Sequence, residues 1–258
     1  MTVPGRSTRA QMVRELLVNS AEVLTGRLDR LDDAALHLLV HGALDEAARE
    51  EATRSAHQLV SLAAFGVAQA AGLALRAEAL LEQAGGDPAE QGAILADLSA
   101  RMRADLEHSL ASPAPASDPT GAAAQSDRAV PTDAADILVV EDDSLLVELL
   151  ERALTGAGWT VSSVATGPAA LQALDVPAER RPRLVLLDID LPALDGFGVL
   201  RGLTQRGLLP GLKVLCLTAR ASVPDVLSVL ALGAVDHVAK PFSLPVLLAR
   251  VATAIGPA

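Results

Sequence analysis

The sequence predicts an α/β domain, built on a doubly wound five-stranded parallel sheet and preceded by an all-α helical bundle. Two patterns indicate this fold class. In the C-terminal half, short apolar runs of strand length alternate with amphipathic stretches of helix length, as in consecutive βα units. In the N-terminal half, the apolar residues recur with helical spacing throughout. The chain is therefore expected to hold two domains of different architecture.

A stretch rich in proline and alanine separates the two halves. The segment "SPAPASDPTGAAAQSDRAVPTDAA", residues 112–135, has four prolines and no apolar periodicity, as expected of a flexible spacer. A chain of 258 residues has room for a small domain on either side of it. We therefore predict a helical bundle at residues 1–111, a flexible linker at 112–135 and an α/β domain at 136–258.

Turn residues divide each half into elements. The breaks "LDD", "HGALD", "FG" and "GGDP" separate five predicted helices, at residues 8–29, 32–43, 45–64, 67–84 and 88–110. In the second half, strands are predicted in "DILVVE", "WTVSSVA", "RLVLLD", "KVLCLT" and "DHVAK". Helices are expected to begin near Ser144, Gly167, Gly196, Val223 and Ser243. We predict the strand order 2-1-3-4-5.

Composition and charge exclude several classes of protein. The formal net charge is −11 and no local basic patch occurs, so we expect no direct nucleic-acid partner. The single Cys216 lies in an apolar run, which indicates a packed, reduced thiol and a cytoplasmic protein. Arg14 and Glu15 interrupt the segment where a signal peptide would be apolar, and the Ala- and Gly-rich stretch around Gln69 is too polar to predict a membrane span.

Acidic side chains gather where two apolar strands end. Glu141, Asp142 and Asp143 follow the first predicted strand, and Asp188 ends the third. The carboxyl ends of parallel strands meet at one edge of a sheet, so these acids are expected to form one cluster. Because like charges at short range repel, a hard divalent cation such as Mg²⁺ is expected among them.

Two further polar side chains end the remaining strands of the same edge. Thr218 follows the fourth apolar run and Lys240 the fifth. Alone, each is compatible with an ordinary strand end or a solvated lysine. Together with a carboxylate nucleophile and a metal ion, a hydroxyl and an ammonium group form a site for phosphoryl transfer, which requires neutralisation of the charge on the phosphoryl oxygens.

These motifs resemble a known family. "ILVVEDD", "LVLLDIDLPALDGF", "VLCLTA" and "GAVDHVAKPF" occur in the order and spacing of the receiver domain of two-component response regulators, over about residues 136–256. The resemblance implies a flavodoxin-like sheet with Asp188 as the phosphoacceptor. It also implies that Mg²⁺ is held by Glu141, Asp142, the carboxylate of Asp188 and the backbone carbonyl of Asp190.

The resemblance assigns roles to three more positions. Thr218 would bind a phosphoryl oxygen, and Lys240, before a cis peptide bond at Pro241, would pair with the phosphate. Thr218 and His237 would form the switch pair that reports phosphorylation to the face of the fourth helix and fifth strand. The family commonly has an aromatic residue at the position of His237, so a titratable ring here would make the response depend on pH.

Two alternatives remain for the acidic positions. Asp195 is also well placed as a turn or N-cap residue. The triplet "DID" resembles the first motif of haloacid-dehalogenase-type phosphatases, but those enzymes place the nucleophile early and the metal-binding acids after the lysine. Here the acidic pair comes first, so we expect a phosphoacceptor signalling protein rather than a turnover enzyme.

The helical half offers a candidate phosphoryl donor. In "RSAHQLVSLAAFG", residues 54–66, His57 lies on the helix face opposite Leu59 and Leu62, so its ring is expected to point away from the core. Residues 8–111 resemble a histidine-containing phosphotransfer (Hpt) domain, which implies that His57 carries a phosphoryl group. That family usually has Lys and Gly where this chain has Val60 and Ser61.

Two functional hypotheses follow. In the first, Asp188 takes part in a phosphorelay, with a histidine kinase, a separate Hpt protein or His57 as the donor. In the second, the helical half is a degenerate bundle that forms a homodimer or docks on a partner, and the receiver switches it. We expect no DNA-binding or catalytic output domain, so in both hypotheses the output goes to a downstream protein target.

Overall fold

The computed structural model of the protein describes residues 9–83, 85–111, 135–219 and 223–257. These residues form two compact units, a helical one in the N-terminal half and an α/β one in the C-terminal half. All of the predicted linker except Ala135 lies outside the described residues. The domain boundaries at 1–111 and 136–258 therefore stay predictions, and each unit is described by itself.

The described residues of the helical unit form a bundle. Its helices are α1 (Arg9–Asn19), α2 (Ala21–His41), α3 (Glu46–Val60), α4 (Ala68–Glu82) and α5 (Pro88–Ala111), with a 3₁₀ turn (Ser61–Ala63) after α3. Helix α2 packs against α3 and α5, and α4 packs against the same two helices, which closes a four-helix arrangement. The core is mainly leucine and alanine, as the scarcity of aromatic residues requires.

One predicted helix boundary is wrong. The sequence predicted a break between residues 29 and 32, but the chain breaks at Ser20 and α2 continues to His41. The reason is that buried leucines recur every three to seven residues along one face of α2 across the "LDD" segment: Leu24, Leu28, Leu31 and Leu38. Asp32 does not end the helix, because its carboxylate accepts a hydrogen bond from Arg103 of α5 at 2.7 Å.

The α/β unit has the predicted topology. The strands are β1 (Ile137–Val140), β2 (Val161–Val164), β3 (Leu184–Asp188), β4 (Lys213–Thr218) and β5 (Asp236–Ala239). All pairs are parallel and the order is β2-β1-β3-β4-β5. The helices between and after them are α6 (Ser144–Gly156), α7 (Gly167–Ala173), α8 (Gly196–Gln205), α9 (Val223–Ala231) and α10 (Leu244–Ile255). The predicted fold class and strand order are thereby confirmed.

The core of the α/β unit lies on both sides of the central strands. Every residue of β1 and β3 is buried, as is β4 apart from Lys213. These strands read as continuous apolar runs because helices cover both faces of a parallel sheet. No helix among the described residues is long and apolar enough to cross a membrane.

Candidate functional site

The acidic residues meet at the carboxyl edge of the sheet. In the register of β1 with β3, Val140 is level with Leu187, so Glu141 and Asp188 follow in the next row. The backbone N–H of Glu141 donates to the carbonyl of Val164 on β2 at 3.1 Å, which fixes it at the end of β1. Carboxylate oxygens of Glu141, Asp142 and Asp188 lie within 4.8 Å of one another.

This cluster has the chemistry of a divalent cation site. Glu141 is 1% exposed and Asp188 is fully buried, while Asp142 is partly exposed. Several carboxylates in such surroundings repel one another strongly unless positive charge is supplied. The donor atoms are all oxygens, which Mg²⁺ prefers over nitrogen or sulfur. The residues present therefore fit a magnesium ion.

The loop after β3 shapes the surroundings of Asp188. The backbone N–H of Asp190 donates to Oδ1 of Asp188 at 3.2 Å, and the N–H of Ile189 donates to the carbonyl of Leu217 at 2.9 Å. The loop then folds back, because the N–H of Gly196 donates to the carbonyl of Ile189 at 2.9 Å. Asp188 is thus held from its own loop and from β4.

Two acids near the same strand ends act as helix caps. Oδ1 of Asp143 accepts from the N–H of Leu145 at 3.0 Å, at the start of α6. Oδ1 of Asp195 accepts from the N–H of Gly198 at 2.7 Å, at the start of α8. The N-cap interpretation of Asp195 is therefore confirmed, while the grouping of Asp143 with the predicted acidic cluster missed its capping bond.

Thr218 and Lys240 stand at the same edge of the sheet. Thr218 ends β4 and is level with Ala239 of β5, and Lys240 comes next. Both residues are buried, with 2% and 5% of their surfaces exposed. The predicted cis peptide bond between Lys240 and Pro241 is present. The register brings both positions to the carboxyl ends of the strands, where Asp188 also lies.

His237 lies on β5, level with Cys216 of β4. Its side chain is 26% exposed, and Nδ1 is 3.9 Å from Oδ1 of Asp236. That carboxylate accepts from Arg250 of α10 through its other oxygen. The ring is thus neither in the core nor fully in solvent, and its role as part of a switch pair stays a prediction.

Cys216 is a structural thiol in the middle of β4. It is fully buried, as the apolar run around it predicted. Burial and, to a smaller extent, the nearby charge of Asp188 raise the pKa of the Cys216 thiol to about 12. A thiol that stays protonated at neutral pH is a poor nucleophile and a poor metal ligand.

A cleft of about 370 Å³ adjoins the acidic cluster within the α/β unit. Glu141 and Asp142 line one part of it, and residues of α6 and β2 line the rest. On its wall, the hydroxyl of Ser163 donates to Glu151 at 2.7 Å. The sequence did not predict this cleft, because it forms where β2 and α6 pack together.

In the helical unit, His57 has a partner that the sequence did not predict. Its Nδ1 lies 2.8 Å from Oε1 of Glu78 on α4. Only 9% of the residue is exposed, and the prediction that its ring points away from the core of the bundle stays a prediction. A helical wheel of α3 cannot show Glu78, which is 21 positions away on another helix. Val60, where the Hpt family usually has lysine, is fully buried.

Comparison with known proteins identifies the α/β unit. Residues 137–252 match the family model of the response regulator receiver domain. This part of the chain is therefore similar to the receiver domains of two-component response regulators. The match favours a receiver over a dehalogenase-type phosphatase as the interpretation of the Asp188 motif.

Curated relatives match the same region. The response regulator MprA of Mycobacterium sp. (strain KMS) is 44% identical over 114 residues, which cover 44% of this chain and 47% of the relative. A Mycobacterium tuberculosis protein named "Probable transcriptional regulatory protein TcrX" is 38% identical over 114 residues, with the same coverage. The chain thus matches about half the length of these relatives.

Solved receiver domains are also similar. The receiver domain of the sensor histidine kinase PA1611 of Pseudomonas aeruginosa PAO1, solved with magnesium in its active-site cleft, is 31% identical with a TM-score of 0.41. The match covers 48% of this chain and 98% of the PA1611 receiver chain. The receiver domain of a signal transduction histidine kinase from Syntrophus aciditrophicus is 31% identical with a TM-score of 0.43, covering 47% of this chain and 90% of its own.

Proposed function

We propose that Asp188 is the phosphoacceptor of the receiver domain and that its site holds Mg²⁺. The ligands would be the carboxylates of Glu141, Asp142 and Asp188 and the backbone carbonyl of Asp190. The observation that carries this proposal is the approach of the three carboxylates to within 4.8 Å of one another at the ends of β1 and β3. When bound, the ion would neutralise charge on the phosphoryl group.

The chain's own residues would then perform a phosphoryl transfer. An oxygen of Asp188 attacks the phosphorus of a phosphohistidine, the new O–P bond forms as the N–P bond breaks, and the donor histidine keeps the electron pair. The hydroxyl of Thr218 donates a hydrogen bond to a phosphoryl oxygen. The ammonium group of Lys240 pairs with the phosphate charge.

The output would be a change in population between two conformations of the receiver. Thr218 and His237 would respond to the acyl phosphate and alter the face made by α9 and β5. Two apolar side chains beside this face support a protein target, because Leu227 of α9 is 60% exposed and Val235 is 48% exposed.

The phosphoryl donor would be a separate histidine kinase, a separate Hpt protein or His57 of this chain. Support for His57 comes from its place on α3 of a four-helix arrangement and from the hydrogen bond that holds its ring. In this scheme the helical unit is an Hpt-like module and the protein acts within a phosphorelay.

A second candidate function is a receiver-switched binding or dimerisation module. The observation that favours it is an exposed apolar face on α2, formed by Leu36, Leu39 and Val40 with exposures of 59%, 47% and 64%. Side chains at this spacing lie on one side of a helix and are well suited to pack against a second copy. The burial of Val60 also agrees with a bundle that has lost its phosphotransfer residues.

We also propose that the protein acts in the cytoplasm without binding nucleic acid directly. The net charge of −11 supports the absence of nucleic-acid binding, since DNA would be repelled. One relative is named a probable transcriptional regulatory protein, so the absence of DNA binding should be tested directly. A gel-shift assay at low salt is expected to show no retarded DNA.

The experiment that tests the phosphorelay uses radiolabelled acetyl phosphate and MgCl₂. Wild type is expected to carry a label that is lost in mild base, as an acyl phosphate is, and Asp188→Asn is expected to carry none of it. A base-stable label that disappears in His57→Ala would support transfer to His57. Absence of label from Asp188 contradicts the receiver proposal, whereas sustained hydrolysis of phosphate esters would favour a phosphatase.

A further inference from the structure

Two exposed histidines lie side by side at the C-terminal end of α2. His37 and His41 are four positions apart, so both side chains leave the same side of the helix. The centroids of their rings are 4.5 Å apart, and the ring planes are inclined by 51°. Neither residue is among those proposed for phosphoryl transfer.

The spacing of the two rings suits a pair of imidazoles that bind one metal ion. When two imidazole nitrogens bind the same ion at about 2.0–2.1 Å and at right angles to each other, their ring centres are about 4.5 Å apart. The rings of His37 and His41 have this separation. Ligands at right angles are typical of the square-planar and tetragonal sites of Ni²⁺ and Cu²⁺, for which imidazole is a preferred ligand.

A hydrogen bond prepares His37 as a ligand. Its Nδ1 lies 2.8 Å from the carbonyl oxygen of Ala43. A carbonyl oxygen only accepts, so Nδ1 carries the hydrogen, and in the neutral ring the lone pair is then on Nε2. Gly42 makes this bond possible, because its φ of 73° ends α2 and turns the chain. Metal-binding histidines usually donate their second ring N–H to a carbonyl or carboxylate in the same way.

The electrostatic surroundings of the pair favour a cation. Helix α2 ends at His41, and the carbonyl groups at the C-terminus of a helix carry partial negative charge. A cavity of about 200 Å³ between α2 and α3 borders His37. Its charged lining residues are Asp33, Glu51 and Arg30, which together carry a net negative charge. The cavity also leaves room for water molecules beside the His37 ring.

We propose that His37 and His41 bind one late first-row transition metal ion, of the class of Ni²⁺, Cu²⁺ and Zn²⁺. Nε2 of His37 is one ligand and a ring nitrogen of His41 is the other. In the part of the chain that the structure describes, no group of three ligating side chains contains either histidine, so water completes the coordination. Mg²⁺ prefers oxygen ligands and does not compete for this site.

A purely structural role for the pair predicts a different behaviour. Two rings in contact and a bond to Ala43 that only close the end of α2 would stabilise the helix equally with and without metal. A metal site predicts that Ni²⁺ raises the unfolding temperature of the wild type, because an ion that binds the folded state stabilises it. His108 provides a matched control, since it is also exposed and lies in the last turn of a helix, α5.

The test is isothermal titration calorimetry of the full chain, without an affinity tag, with NiCl₂ in the presence of excess MgCl₂, which occupies the acidic cluster. We expect one Ni²⁺ site per chain. His37→Gln and His41→Gln should each weaken Ni²⁺ binding by at least about tenfold, because loss of a second-shell partner alone weakens metal sites by about 10- to 100-fold. His108→Gln should match the wild type. Thermal unfolding followed by far-UV circular dichroism should show the Ni²⁺-dependent shift only in the wild type and His108→Gln.

Three results would overturn the metal site: no Ni²⁺ binding to the wild type, unchanged affinity in His37→Gln or His41→Gln, or an equal loss of affinity in His108→Gln. A measurement on the wild type alone guards against variants that lose helix content. The electron paramagnetic resonance spectrum of the Cu²⁺-loaded protein should show coupling to two nitrogen nuclei. Coupling to one nitrogen or to none would contradict binding by the pair.

Discussion

Gly196 lies directly against the backbone of Asp188. A Cβ atom at Gly196 would be 2.6 Å from the carbonyl oxygen of Asp188 and 2.7 Å from Cα of Ile189. No side chain fits there without displacement of the strand end that carries the proposed phosphoacceptor. The turn into α8 and the position of Asp188 are thus linked by a steric requirement, which gives the first prediction.

Gly196→Ala is expected to destabilise the α/β unit by about 1 to 3 kcal/mol, the usual effect of overpacking. Labelling of Asp188 by acetyl phosphate should fall as well, since the carboxylate would shift. Urea unfolding followed by the fluorescence of Trp159 measures the change, because this single tryptophan is buried in the α/β unit. Gly156→Ala is the control, as nothing lies within 4 Å of the added carbon; equal stability losses in both variants would contradict the prediction.

Asp142→Asn is expected to weaken Mg²⁺ binding by about tenfold or more, because the variant removes the charge of one proposed oxygen ligand. Isothermal titration calorimetry with MgCl₂ measures the affinity. Glu148→Gln removes an equal charge from α6 in the adjoining cleft, where Glu148 pairs with Arg152 at 2.7 Å. If both variants weaken binding equally, the effect is general electrostatics and Asp142 is not a ligand.

Asp136 gives the α/β unit an acid-sensitive component of stability. Partial burial alone would raise the pKa of the Asp136 carboxyl, but hydrogen bonds from the N–H and hydroxyl of Thr160, with Arg183 nearby, outweigh it and hold the pKa below its usual 3.8. A carboxyl with a lowered folded-state pKa stabilises the fold above its unfolded pKa. That stabilisation is lost as the pH falls through the folded value.

The free energy of unfolding of the wild type should therefore decrease as the pH falls below the usual carboxyl pKa of 3.8. Asp136→Asn should be less stable than wild type at pH 7, and the difference should shrink at acid pH. Urea midpoints from Trp159 fluorescence between pH 3 and 7 measure this difference in stability. The exposed Asp175 provides the control variant Asp175→Asn; a pH-independent effect of Asp136→Asn would refute the assignment.

The Cys216 thiol should be unreactive in the folded protein. Its pKa of about 12 and its complete burial both oppose formation of an accessible thiolate. Iodoacetamide at pH 8 is expected to leave it unmodified by mass spectrometry, and to alkylate it rapidly in concentrated urea. Rapid alkylation without urea would show that β4 opens far more readily than its packing implies.

The architecture of the α/β unit was predictable because each strand carries its own local signal. The run around Leu184–Asp188 is apolar on both faces and ends in an acid, and such a run is typical of a buried central strand in a parallel sheet. Strand ends at one edge then bring Glu141 and Asp188 together without knowledge of their side-chain conformations. The acidic cluster follows from topology, so it could be inferred from the sequence.

Tertiary contacts were the part that the sequence could not provide. The acids at 32 and 33 look like a helix break, but Arg103 on a distant helix pairs with Asp32 and the helix continues. In the same way, the partner of His57 comes from α4 and leaves no local pattern near residue 57. Asp143 could have been recognised as an N-cap, because it directly precedes the amphipathic run of α6.

The parallel register distributes the proposed site over strands that are synthesised at different times. A nascent chain that has emerged only as far as β3 already possesses the acids of residues 141, 142 and 188, but the hydroxyl at 218 and the ammonium group at 240 still have to leave the ribosome. Such an intermediate could gather its carboxylates around a cation while lacking the groups proposed to hold a phosphate. The proposed site would thus be complete only after β5 and the residue at 240 have been synthesised.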